Sequence, residues 1–165
     1  MAQRSFENIT RRDLKKLTRL AFNDLSEFLK THPQWQTYHL RILCVALCQG
    51  AALHYLEQKV GVKDFDVWIF FRSASNLKPF PYRRVGHSDF GHSRFGKREA
   101  DKGYLGRRVD IIGRSLVTQR RSPVLALQDY LREKKTKSAR LLAKKAVIII
   151  YPEDLLGTVA WPKES

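Results

Sequence analysis

Two aspartates, Asp64 and Asp66, stand two residues apart in Gly61-Val62-Lys63-Asp64-Phe65-Asp66-Val67-Trp68-Ile69-Phe70-Phe71, at the entrance to an apolar run. Side chains at i and i+2 of a β-strand leave the same face, so the spacing predicts two carboxylates aimed at one point. Such a pair attracts a divalent cation. A third acid, Asp110, lies in Val109-Asp110-Ile111-Ile112, a short apolar strand in which an uncompensated charge would be costly. Its counter-charge is either that cation or a guanidinium among Arg107, Arg108 and Arg114. Upstream, Cys48-Gln49-Gly50-Ala51-Ala52 reads as a glycine turn between a strand and a helix, with amides able to face phosphates. Three acids on two strands beside such a turn are the equipment for metal-assisted chemistry on a nucleoside triphosphate.

Arg83, Arg84, Arg107 and Arg108 flank the acidic strands, where a cleft would bring them towards the triphosphate or the acceptor. His54, after the turn, reads as a packing residue. His87 and His92 lack the further ligands that zinc needs and read as a solvated loop pair. Residues 132–145 carry Arg132, Lys134, Lys135, Lys137, Arg140, Lys144 and Lys145 against Glu133 alone, at spacings suited to tracking a phosphate backbone. Tyr82, Phe90, Phe95 and Tyr104 alternate with arginines and are candidates for stacking on bases.

The elements that must position these groups follow from periodicity. Thr10-Arg11-Arg12-Asp13 resembles a capping box with Asp in place of the usual Glu, and Leu14, Leu17, Ala21, Leu25, Phe28 and Leu29 continue it as an amphipathic helix over 11–30. Residues 40–47 read as a strand, 51–58 as a short helix stopped at Gly61, and 72–106 as a long aromatic and basic binding segment. Ser122-Pro123 starts a second helical part over 122–150, with a further helix from Thr136 or Ser138. Residues 146–151 fit a buried helix end or a strand equally well, and 157–161 a terminal strand. The alternation predicts one α/β (α+β) domain over 1–165, with a mixed β-sheet, flanking helices and basic C-terminal helices.

Charge narrows the partners. In 165 residues, 31 Lys and Arg against 16 Asp and Glu give a net charge of +15, which favours a polyanionic partner. Cys44 and Cys48, too few for a disulfide framework, read as buried reduced thiols and point to a reducing compartment. The N-terminus has no apolar signal core, and no stretch is long and apolar enough to span a membrane, so the expected location is cytoplasmic.

Taken in order, Gly50-Ala51, Asp64-Phe65-Asp66 and Asp110 resemble the core of the nucleotidyltransferase superfamily, in its small polymerase-beta-like form, over residues 40–113. The resemblance implies transfer of a nucleoside monophosphate from an NTP, with Asp64, Asp66 and Asp110 holding two Mg2+ ions, or Mn2+ in their place. It implies that Gly50 and Ala51 meet the triphosphate, with the arginines beside them. Ala51 departs from the Ser or Gly usual after the first glycine and offers no hydroxyl donor. A small, basic member resembles toxin or defence nucleotidyltransferases, which implies a regulatory protein partner; the charge favours RNA as acceptor, with a protein or a small molecule left open. The alternatives are a non-catalytic nucleic-acid-binding module of this fold and, less favoured, a metal-dependent nuclease.

Overall fold

Thr10 opens the first helix, α1 (Arg11–Thr31), through a complete capping box. Its hydroxyl accepts from Asp13 N–H at 3.3 Å while Asp13 Oδ2 accepts from Thr10 N–H at 2.7 Å. One stripe of α1, Leu14, Leu17, Ala21, Leu25, Phe28 and Leu29, is buried, as the spacing predicts. The computed structural model of the chain describes residues 3–81 and 84–163. After α1 the chain winds through a 3-10 segment at 33–41, then β1 (Ile42–Cys48), α2 (Gln49–Glu57), β2 (Phe65–Arg72), β3 (Val85–Asp89) and β4 (Arg108–Leu116). It ends with α3 (Pro123–Glu133), α4 (Lys137–Leu142), β5 (Val147–Tyr151), a 3-10 turn and β6 (Thr158–Trp161).

The six strands form one mixed sheet in the order β3-β4-β2-β1-β5-β6. Only β2 and β4 pair in parallel; the other neighbours are antiparallel. Helices cover both faces. Phe65, Val67, Ile69 and Phe71 of β2, with Val109 and Ile111 of β4, pack against α1 and α2. Trp68 and Phe70 face the other way, onto Ala126, Leu127 and Leu131 of α3 and Leu142 of α4. Both faces of the central strands are therefore apolar, which is why β1 and β2 read as unbroken hydrophobic runs.

Three elements differ in their bounds from those expected. The strand expected from residue 40 begins at Ile42, because the preceding residues close 3-10 turns. Helix α2 begins at Gln49, so Gly50 lies in its first turn and not in a turn ahead of it, and it ends on Gln58 (φ 58°), whose N–H bonds to His54 O, and not at Gly61. Residues 147–151 are strand: their β-branched side chains are buried beside β1, so the C-terminal part is not helical to residue 150. Ser122 and Thr136 cap α3 and α4 as expected, through bonds from Leu125 and Ala139 N–H.

The described part of the long segment after β2 is built around two devices. Phe90 and Phe95 enclose Phe65 at centroid distances of 5.0 and 5.5 Å, and both are 2% exposed. They are core residues, so the expectation that they stack on bases is corrected; Tyr82 lies outside the described residues. Asp89 accepts from the N–H groups of Gly91, Leu105 and Gly106. Partial burial alone would raise its pKa, but these three donors hold it below the ordinary value.

Candidate functional site

Cross-strand register assembles the acids. Asp66 of β2 is the register partner of Asp110 on β4, of which His87 on β3 is the partner in turn; on the other side Asp66 faces Cys48 of β1. Cys48, Asp66, Asp110 and His87 thus form a transverse row over four strands, at neighbouring-strand spacing of about 4.8 Å. Asp66 alternates with the core residues Phe65 and Val67 and so projects from the α3/α4 face, as does Asp110 between Val109 and Ile111. Asp64 precedes β2. The start of α2 with Gly50, the acids and the entry to β5 all lie at one end of the sheet.

The electrostatics of the row are unbalanced. Burial pushes the Asp66 carboxyl up to about 7, and the charges of Asp64 and Asp110 push the same way; Arg108 and Lys145 pull down, but less. Arg108 is the internal counter-charge. Its Nη2 lies 3.2 Å from Asp110 Oδ2 and 3.5 Å from Asp64 Oδ2, its Nε 3.0 Å from Asp110 Oδ1, and its Nη1 3.8 Å from Asp101 Oδ1. His87 Nδ1 is 2.7 Å from Asp110 Oδ1. With Arg108 between Asp64 and Asp110, no group of three or more His, Cys, Asp or Glu side chains among the described residues is set to hold a metal ion. Asp101 Oδ2 is buried without a hydrogen-bond partner among the described residues.

A cleft of about 310 Å3 opens beside the acids, lined by Arg4, Gln49, Gly50, Ala51, Lys63, Asp64, Asp66, Leu141, Lys144 and Lys145. Two acids therefore face four cationic side chains. Gln49, at the turn, holds φ 63°, a left-handed conformation that costs a non-glycine residue about 1 kcal/mol or more and recurs where a site dictates the backbone. A second groove, of about 750 Å3, is lined by Arg114, Thr136, Lys137, Ser138, Arg140, Leu141 and Lys144. Leu141 and Lys144 line both, so the two grooves adjoin.

The expected arginines separate. Arg108 lies among the acids. Arg84 is paired with Asp24 of α1 at 2.5 and 3.1 Å and stacks over Phe28, on the opposite face of the sheet from Asp66. Arg107 is 3% exposed and donates to the carbonyls of Phe95, Gln3 and Lys63, a strut under the cleft. Arg83 lies outside the described residues. His54 is a packing residue, donating from Nε2 to Glu7 O and accepting at Nδ1 from Gly61 N–H. The thiols of Cys44 and Cys48 are free and buried, and burial pushes both up, away from nucleophilic use. Sequence reasoning missed Arg4, Lys63 and Asp101, and left His87 in a loop. For His87 a pattern existed: it precedes the acidic Asp89 by two residues in a polar, half-exposed strand.

No protein-family model matches the chain, and no match was found to a curated protein or to a solved structure. No helix among the described residues is long and apolar enough to cross a membrane.

Proposed function

We propose that the chain is a divalent-cation-dependent nucleotidyltransferase, moving a nucleoside monophosphate from an NTP onto an RNA acceptor. The observation that carries this reading is one cleft in which Asp64 and Asp66 meet Gly50 at the start of α2 and Arg4, Lys63, Lys144 and Lys145, with Asp110 beside Asp66 as its register partner on the parallel strand. The donors are oxygens, which suit Mg2+ or Mn2+. Asp66, raised to about 7 by burial and then by its like-charged neighbours, is a carboxylate short of a cation. Asp64, Asp66 and Asp110 would hold the ion, whose chemistry is to neutralise the triphosphate and acidify the attacking hydroxyl.

The chain's own residues do the rest. For the ion to enter, Arg108 would have to give up Asp64 and Asp110, and Asp101, whose Oδ1 lies 3.8 Å from Nη1 and whose buried Oδ2 has a free acceptor position, is the acid that could receive it. Lys63, Lys144 and Lys145 orient the phosphates, and the turn at Gly50 lets backbone amides approach them. The second groove carries the acceptor: Lys137, Arg140 and Lys144 bind its backbone and lead it into the cleft.

Incubation with each labelled NTP, Mg2+ and total RNA, followed by separation of RNA from protein, is the test. Label is expected on RNA, and absent with Asp110→Asn; label on protein would replace the acceptor, and no label anywhere would defeat the reading. Lys137→Ala/Arg140→Ala is expected to lower RNA affinity several-fold at low salt and to reduce the slope of log affinity on log salt by roughly 1 to 2. NTP affinity should be unchanged. An unaltered slope would remove the groove from the acceptor path. The Arg108 bridge favours one alternative, a binding-only module whose acids are neutralised internally; such a module binds RNA with the same salt dependence and transfers nothing.

A further inference from the structure

Residues 3–8 are tied to the protein more firmly than their own burial explains. Ser5 and Val62 form an isolated antiparallel bridge, with N–H···O distances of 2.8 and 2.6 Å. Arg107 Nη1 donates to Gln3 O at 2.6 Å, His54 Nε2 meets Glu7 O at 3.0 Å, and Arg94 Nη2 donates to Asn8 O at 2.5 Å. Arg107 and His54 are buried, yet the strap brings little apolar surface inside: Phe6 is 61% exposed. Gly61 is what admits the strap. It holds φ +81°, and a Cβ there would stand 3.0 Å from Arg4 Cβ and 3.2 Å from Ser5 O.

The strap delivers Arg4. Its Nη1 lies 4.0 Å from the position of a Cβ on Gly50, over the turn, and the side chain lines the cleft with Asp64 and Asp66. Among the described residues its guanidinium has no hydrogen-bond or ion-pair partner. Beside it, Ala51 is 3% exposed and its side chain carries no donor. An exposed guanidinium carried to the cleft by a fixed strap, without a partner among the described residues, offers a fork to phosphate oxygens.

We propose that Arg4 is a triphosphate-binding residue, held over the glycine turn by the N-terminal strap and supplying the donor that Ala51 lacks. This rests on the reading of the cleft as an NTP site. Isothermal titration with Mg2+ and inorganic tripolyphosphate, and then with each Mg-NTP, tests it on the wild type, Arg4→Ala, Arg4→Lys and Gly61→Ala. Arg4→Ala is expected to weaken tripolyphosphate and NTP binding about tenfold or more at unchanged melting temperature, with Arg4→Lys partly restoring it. Gly61→Ala, which displaces the strap and leaves Arg4 in the chain, should weaken binding in the same direction. Equal affinity of wild type and Arg4→Ala would overturn the role of Arg4 while leaving the NTP site standing. Failure of the wild type to bind tripolyphosphate or any NTP would overturn both.

Discussion

Asp66→Asn is expected to stabilise the metal-free protein above neutral pH while reducing nucleotide transfer roughly 10³-fold, the loss of several kcal/mol of charge stabilisation. The two effects have one origin. In the folded protein the Asp66 carboxyl titrates at about 7, against 3.8 for the ordinary group. Between those values the folded chain holds a proton that the unfolded chain has released, so stability falls as pH rises from about 4 to about 7. Below both values the protonated group imposes no penalty; above both the full penalty is present. The shift sets an upper bound of roughly 4 kcal/mol, and solvent at the half-buried site reduces this to about 1–3 kcal/mol. Urea denaturation of both proteins in EDTA from pH 4 to 8.5 should show the variant's advantage growing up to neutrality and levelling off beyond about pH 8. Parallel stability curves would mean that Asp66 ionises without penalty, and full transfer activity in the variant would remove Asp66 from the site.

Arg107→Met should cost about 3–5 kcal/mol, because one buried guanidinium serves three carbonyls on three segments. Nε donates to Phe95 O at 2.9 Å, and Nη1 to Gln3 O at 2.6 Å and Lys63 O at 3.2 Å. Methionine keeps most of the side-chain volume, so the loss reports the hydrogen bonds and not a cavity. Urea denaturation gives the total, and faster amide exchange at Ser5 and Val62 would locate it. A cost below about 1 kcal/mol would show that water satisfies these carbonyls. An unchanged stability accompanied by lost NTP affinity would instead return Arg107 to the substrate-facing role expected from its position in the chain.

Local pattern made much of the fold legible. The Thr10–Asp13 box, the α1 stripe, the Ser122 and Thr136 caps and the apolar runs of β1 and β2 are encoded within a few residues of where they act. The order of turn, paired acids and third acid was legible for the same reason. What remained hidden depends on register and on distant contacts. Val147–Tyr151 has no periodicity to separate helix from strand until β1 lies beside it. Arg107 and Arg108 are adjacent in sequence, yet one points into the core as a strut and the other into the acid cluster; strand alternation divides them, and only the paired sheet reveals which is which. Arg4 reaches the turn through a bridge to Val62 that no local rule announces.

The transverse row also sets which length changes the chain tolerates. Asp66, Asp110 and His87 meet because three strands hold a fixed alignment, although 65–72, 85–89 and 108–116 are far apart along the chain. Residues added around Gly103, a left-handed glycine with open space beside it, lengthen a connection without changing that alignment. One residue inserted between Arg108 and Asp110 has the opposite result: it turns the carboxylate towards α1 and an isoleucine towards the cleft, since a strand inverts its faces at every step. A three-residue stretch of β4 is therefore intolerant of insertion, while a neighbouring loop can drift in length.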